Sequence, residues 1–291
     1  MKKFTKIMIA ICAIVLCVTA FVGCSKSKFD ANKNISVVTR EDGSGTKSAF
    51  MEIVGLKGKK DVSGVIIASG TAAVLQEVKS NPHAIAFDSL GYVTDEVKIL
   101  KVDGVEPTIA NIKSGEYKIS RPLNVVYQES RVSSDVNSAY LQFLQSKTAQ
   151  EIIAKEGYVS TNDNPTEYVV QPELTSKIAI SGSTSLKPLM EKLAQKFESL
   201  HNGVSVTVGG GGSGTGYNDA KNGVSDFGMI SETFKPSKAD NCTYYEVAKD
   251  GIAIIVNLSN PITDIALNNL KNIYDVDAGD NAIKTWADIK A

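Results

Sequence analysis

Arg40-Glu41-Asp42-Gly43-Ser44-Gly45-Thr46 lies between a β-branched run at 35–38 and a segment, 47–54, in which Ala49, Phe50 and Ile53 recur at helical spacing. The order is strand, glycine turn, helix start. The first N–H groups of a helix have no partner within it and the macrodipole is positive there, so an anion is stabilised at this point. Gly43 and Gly45 let the backbone approach closely, Ser44 and Thr46 add hydroxyls, and Arg40 adds a planar fork suited to an oxyanion. A second stretch repeats the design: a strand at 204–208, a glycine loop at 209–216, and a helix opening at 217–221. Both contain Gly-Ser-Gly-Thr, at 43–46 and 212–215. Two donor-rich loops so far apart in sequence predict two walls closing on one ligand.

Outward from these loops, strands alternate with helices, which argues for α/β architecture. Strands are expected at 64–68, 84–87, 98–102, 122–127, 177–180 and 226–230, and a fully apolar one at 251–256 is expected at the centre of a sheet. Ser69-Gly70-Thr71 begins a helix that Asn81-Pro82 stops, and its small hydroxyl residues either cap that helix, the favoured reading, or donate to the ligand. Residues 160–176 are polar, with Asn162-Asp163-Asn164-Pro165 in a row, and read as a linker.

Length and composition suit two ordinary domains: 291 residues, 43% hydrophobic. With a net charge of -1 and no basic block beyond the first residues, nucleic acid is not expected as a partner. Lys2, Lys3 and Lys6 precede an apolar run at 7–22 that is shorter than the ~20 residues of a membrane span and fits a secretory signal. Residues 25–34 read as a polar tether. Residues 1–23 hold three Lys and no acid, so their removal leaves 28 basic against 32 acidic residues, a net charge of -4. Cys12 and Cys17 would leave with that signal, and Cys242 reads as a buried structural thiol. No His/Cys cluster suggests a metal, and no cofactor motif is present: the glycine loop lacks the Lys of a P-loop, and Gly212, Gly214 and Gly216 miss the dinucleotide spacing. His83 and His201 read as surface residues, and no nucleophile has an obvious base, so an enzyme is not expected and no catalytic residue is assigned.

Gly182-Ser183-Thr184-Ser185-Leu186-Lys187-Pro188, the Gly-Ser-Gly-Thr-Gly loop, Asp226-Phe227-Gly228-Met229 and the Arg40 to Thr46 motif together resemble the phosphate-binding protein of phosphate ABC transporters. So do Ala84-Ile85-Ala86-Phe87-Asp88-Ser89-Leu90-Gly91, Val102-Asp103-Gly104-Val105 and Ala248-Lys249-Asp250-Gly251-Ile252-Ala253; nearly all of the chain after residue 34 is covered. In that family the Gly-Ser-Thr-Ser segment comes first and the Arg-Glu-Asp-Gly-Ser-Gly-Thr segment later, whereas here the order is reversed. That is the pattern of a circular permutation, with 160–176 joining the old end to the old beginning, a change that is cheap when old termini lie close together at the surface.

The resemblance implies a two-lobed, type II periplasmic-binding-protein-like α/β fold with the ligand in the interlobe cleft. One lobe would be continuous, residues 121–251, and the other discontinuous, residues 34–120 plus 252–291. Inorganic phosphate would be held by Arg40, Ser44, Gly45 and Thr46 from the discontinuous lobe and by Thr184, Ser185, Ser213 and Ser231 from the other, with Asp42 pairing to Arg40 to hold its fork. Some family members place an acceptor aspartate where Ser231 stands here. Ser231 can accept through a lone pair, and Glu232 either reaches the ligand or is a solvated surface acid, which leaves sulfate rejection open. Phe21-Val22-Gly23-Cys24 resembles a bacterial lipobox, with Phe21 where leucine is usual. It implies cleavage after residue 23, a lipid on Cys24, a tether at 24–33, and a monomer held at the extracytoplasmic face of the cell membrane for delivery to permease subunits. The alternatives are a secretory signal without lipid, a general oxyanion-binding lipoprotein, and an adhesin or signalling protein.

Overall fold

The computed structural model describes residues 28–289, so the signal segment and Cys24 lie outside the described residues. In chain order the first elements are β1 (Ser36–Arg40), α1 (Gly45–Ile53), β2 (Ile66–Ala68), α2 (Thr71–Ser80), β3 (Ala84–Ser89), β4 (Lys98–Val102) and α3 (Ile109–Ser114). After β5 (Ser120–Tyr127) come the helices α4 (Glu129–Val132), α5 (Asp135–Gln145) and α6 (Lys147–Lys155), and then the short β6 (Val159–Ser160). The remainder is β7 (Thr175–Gly182), α7 (Lys187–Leu200), β8 (Gly203–Gly211), α8 (Ser213–Lys221), β9 (Phe227–Ile230), β10 (Thr243–Val256), β11 (Asp264–Ile265) and α9 (Leu267–Tyr274).

The main path through the sheet is β2-β1-β3-β10-β5-β9-β7-β8, with β4 and β6 paired to β10 and β11 to β4 off that path, and β10 carries it from one lobe into the other. Its residues 252–256 pair antiparallel with β3, and residues 243–251 pair with β5. The apolar run expected at 251–256 is therefore the second part of a 14-residue strand whose first part, more polar, was not legible as strand.

Two main cores flank this crossing. In the lobe built from β1 to α3, the end of β10 and α9, Phe50 and Phe87 stack with centroids 4.1 Å apart and Tyr274 meets Phe50 edge-on at 4.9 Å. The Tyr274 hydroxyl donates to the Val38 carbonyl at 3.1 Å, so a buried phenol is satisfied by the strand it covers. In the other lobe, Leu189, Met190, Leu193, Ala194 and Phe197 form the buried stripe of α7, and Phe197 packs against Tyr140 and Phe143. Each lobe has its own apolar core, and near the crossing Val159 packs into the core of the lobe that holds Phe50 and Phe87.

Helix α8 lies unusually close to β9. A Cβ on Gly216 would meet the Met229 carbonyl oxygen in steric overlap, with Met229 N at 3.0 Å, and a Cβ on Gly228 would overlap the Gly216 carbonyl. Only glycine permits this approach. Gly216→Ala is expected to cost about 3 kcal/mol and to lower the melting temperature by several degrees; an unchanged melting temperature would mean that the helix sits farther from the strand.

Several expectations are corrected. Gly209 to Gly211 belong to β8 rather than to a loop, because β7 pairs with this edge as far as Gly182–Gly211. Helix α8 then starts at Ser213, four residues earlier than read. His201 is buried, not exposed: Tyr168 meets its Nε2 at 2.8 Å and the Gln171 carbonyl its Nδ1 at 2.9 Å, so Tyr168 and Gln171, within the segment read as a linker, pack against the end of α7. Phe29, in the stretch read as tether, stacks on His83, and the Asp30 N–H donates to His83 Nε2 at 3.0 Å. Cys242 is only half-buried, at the edge of a small cluster with Phe234 and Ala239.

Candidate functional site

Strand β1 ends at Arg40, and the chain turns at Gly43, whose φ of 85° excludes most side chains, so that α1 can begin at Gly45. Ser44 is the N-cap, its Oγ accepting from the Lys47 N–H at 3.3 Å. Across the cleft, Gly212 repeats this turn with φ 87° and α8 begins at Ser213. The two helix starts face one another. The Gly214 N–H donates to the Gly43 carbonyl at 3.0 Å, a backbone bond between lobes. Gly45 lies so close to the opposite wall that an added Cβ would overlap Ser213 Oγ and stand 2.8 Å from Ser231 Oγ.

The structure brings together the residues expected to face the ligand. Thr46 Oγ1 and Ser185 Oγ are 3.0 Å apart across the cleft, and Ser213 Oγ and Ser231 Oγ are 3.3 Å apart, with the Ser231 N–H donating to Ser213 Oγ at 3.0 Å. Thr46, Ser44, Ser185, Ser213 and Ser231 are all buried. Arg40 is 1% exposed, and its Nη2 donates to Thr184 Oγ1 of the other lobe at 3.1 Å. Its Nη1 has no hydrogen-bond partner among the described residues.

Two supporting roles differ from expectation. Asp42 does not hold Arg40; the turn at Gly43 carries it into solvent, where it pairs with Lys47 at 3.0 Å. The fork is held by Glu41, whose Oε2 and Oε1 accept from Arg40 Nε at 2.9 Å and Nη2 at 2.8 Å. Burial raises the Glu41 carboxyl, but the hydrogen bonds and charge of Arg40, with the Gly70 N–H, outweigh it and hold it below the usual carboxylate range. Glu232 is neither ligand-facing nor solvated. It is 2% exposed and takes Ser48 Oγ, Lys235 and Lys238, each at 2.6 Å. Since Ser48 stands on α1, Glu232 ties the two lobes together. Burial raises its carboxyl, and the two lysines and Ser48 more than reverse this, so it is held low.

Sequence reasoning missed other contributors. Helix α2 starts without a side-chain cap: Gly70 donates its N–H to Glu41 Oε2 at 3.1 Å, and Thr71 Oγ1 donates to Thr184 Oγ1 at 3.0 Å. Of the two sequence readings of this small polar turn, the contacts favour the one that faces the cleft over the one that caps the helix. Below the site, where β10 passes between lobes, Arg121 and Asp250 form a buried ion pair at 3.0 Å; Arg121 Nη1 donates to the Ser231 carbonyl at 3.1 Å and Ser89 Oγ to Asp250 at 2.7 Å. Asp88, fully buried, lies beside these groups. Glu41 adjoins Arg40 in the sequence and Asp88 lies in the family-like segment 84–91, but only strand register reveals that Asp88 is near the site.

The arrangement is a closed cleft lined by hydroxyls, backbone N–H groups of two helix starts and one guanidinium whose charge is balanced by Glu41. It can bind a small tetrahedral oxyanion through oriented dipoles. Among the described residues there is no group of His, Cys, Asp and Glu that could hold a metal ion, and no helix is long and apolar enough to cross a membrane. A surface depression of about 660 Å³ bordered by Lys113, Asp163, Tyr245 and Lys249 includes none of the cleft side chains.

Comparison with known proteins agrees with this geometry. The profile of the PBP superfamily domain matches residues 26–148 and 169–291. Phosphate-binding protein PstS 2 of Streptococcus pneumoniae (strain TIGR4) is 32% identical over 299 residues, covering 99% of this chain and all of the relative. The PstS 2 protein of Streptococcus agalactiae (serotype V) is also 32% identical, covering 99% of each. Phosphate-binding protein PstS of Bacillus subtilis is 30% identical over only 137 residues, 45% of this chain and 43% of the relative. The crystal structure of a phosphate ABC transporter phosphate-binding protein from S. pneumoniae TIGR4 superposes with a TM-score of 0.70 at 32% identity, covering 88% of this chain and 100% of that one. The chain belongs to the PBP superfamily and, within it, to the PstS family of phosphate-binding proteins.

Proposed function

We propose that this protein captures inorganic phosphate in the cleft between its lobes and delivers it to the permease of an ABC transporter, as a binding protein rather than an enzyme. The observation that carries the reading is the pair of Gly-Ser-Gly-Thr helix starts brought face to face, joined by the Gly214–Gly43 backbone bond. Arg40, Ser44, Gly45 and Thr46 would bind from one side, and Thr184, Ser185, Ser213 and Ser231 from the other. Charge-assisted hydrogen bonds contribute roughly 1.5–3 kcal/mol each, so several of them offset the cost of desolvating the anion and leave tight binding.

The lobes would be residues 34–120 plus 252–291 and residues 121–251, with closure about the crossing of β10 at Gly251 and Ile252. A circular permutation joined through 160–176 accounts for end-to-end alignment with one set of relatives and alignment over less than half of another. A lipid on Cys24 would hold the monomer outside the cell membrane.

Calorimetry of the purified protein, freed of bound anion, with phosphate and with sulfate as competitor tests the reading. Tight phosphate binding that survives excess sulfate is the expected result. Equal competition would indicate a general oxyanion receptor, and binding of neither anion would overturn the proposal.

A further inference from the structure

We infer that Asp88 contacts the ligand, accepting the hydrogen of a protonated tetrahedral oxyanion and so separating hydrogen phosphate from sulfate; this rests on the phosphate reading above. Strands β1 and β3 run parallel with Ser36 opposite Ala84 and Val37 opposite Ile85. Continued along both strands, that register sets Arg40 beside Asp88 on the same face, at the carboxyl ends of parallel strands where α/β folds gather their ligands. Both side chains are buried, at 1% and 0% exposure. Asp88 Oδ1 accepts from the Ser89 N–H at 2.8 Å, but Oδ2 has no partner among the described residues, and neither has Arg40 Nη1.

A buried carboxyl oxygen and a buried guanidinium nitrogen, both unpaired, are costly to leave so. They do not pair with each other: Glu41 and Thr184 engage Nε and Nη2 of the guanidinium, and Nη1 and Asp88 Oδ2 each lack a hydrogen-bond partner among the described residues. A group placed between them must present a donor to Asp88 and an acceptor to Arg40 at once. Hydrogen phosphate has both, a P–OH and charged oxygens. Sulfate near neutrality has only acceptors. Ser231, which stands where an acidic acceptor was sought, already shares its hydroxyl with Ser213.

The charged groups facing Asp88 are Arg40 on β1, Arg121 on β5 and Asp250 on β10. Arg121 directs Nε and Nη2 to Asp250 and Nη1 to the Ser231 carbonyl, so it acts on Asp88 only through its field. Burial pushes the Asp88 carboxyl up to about 7, with Asp250 adding to the rise and Arg40, the Ser89 N–H and Arg121 opposing it. Ionised, the carboxylate accepts P–OH. Protonated, it donates to either anion. Sulfate therefore requires the protonated form, and its affinity should fall as pH rises through the carboxyl's titration, by up to about tenfold per unit. Phosphate brings its own proton and should hold its affinity over the same range.

The test is competitive calorimetry of phosphate against sulfate from pH 6 to pH 9 on the wild type and on Asp88→Asn, with melting curves to establish folding. An amide both donates and accepts, so Asp88→Asn should reduce the phosphate preference at pH 8 by at least about 100-fold and remove its dependence on pH. A preference unmoved by the substitution, in a folded variant that binds phosphate, would overturn the role of Asp88 while leaving the phosphate reading intact. If the variant does not fold, the wild-type series decides: a preference that grows with pH supports the inference and a flat one overturns it. A wild type that binds neither anion removes both readings.

Discussion

Arg40→Met is expected to weaken phosphate binding by about 100- to 1,000-fold, because truncating one member of a buried, hydrogen-bonded charge pair costs roughly 2–5 kcal/mol. Two losses combine. The cleft loses the guanidinium proposed to bind the anion, and Glu41, half-enclosed between Arg40 and Gly70, is left as an unbalanced negative charge beside the proposed site. Arg40→Lys keeps the charge but cannot span Glu41 and Thr184 in one plane, so an intermediate loss is expected. Titration calorimetry measures both. Binding by Arg40→Met within threefold of the wild type would place the anion elsewhere.

Gly45→Ala is expected to separate folding from closure. Gly45 is the first residue of α1, where alanine is accepted by the helix and should leave the ligand-free melting temperature unchanged or slightly higher. Its methyl group, however, would overlap Ser213 Oγ and press Ser231 Oγ at 2.8 Å, both on the opposite lobe. The lobes should be unable to meet, and phosphate affinity should fall by at least about 100-fold, since the hydrogen bonds of one wall are lost together. Small-angle scattering supplies an independent reading: phosphate should contract the wild type and not the variant. A Gly45→Ala protein that contracts and binds normally would show that the cleft closes along another path.

How much of this was legible in the sequence follows from the range of the interactions involved. That helices open beside the two glycine-hydroxyl turns was visible because an N-terminal anion site is a local device of glycines and hydroxyls, although α8 begins four residues before the position read. Where α1 begins was misjudged by two residues, since the apolar spacing only becomes apparent from Ala49. The exchange of Asp42 for Glu41 turned on one backbone angle: Gly43 at φ 85° sends Asp42 outward, which no composition rule encodes. Gly209 to Gly211 looked like loop because their strand character comes entirely from pairing with β7. His201 looked exposed because its partners, Tyr168 and Gln171, lie in a polar segment some thirty residues away. Asp88 was beyond reach for the same reason, since its neighbour Arg40 is set by register across two strands.

The backbone bond between Gly214 and Gly43 makes the protein a recorder of its own opening. That amide hydrogen is held by the opposite lobe, so it exchanges with solvent deuterium only when the lobes part, whereas the amides of β10 stay in the ladder whichever way the cleft stands. Exchange at this one position counts openings, and the ratio of its rate to that of a free amide gives the free energy of parting the lobes.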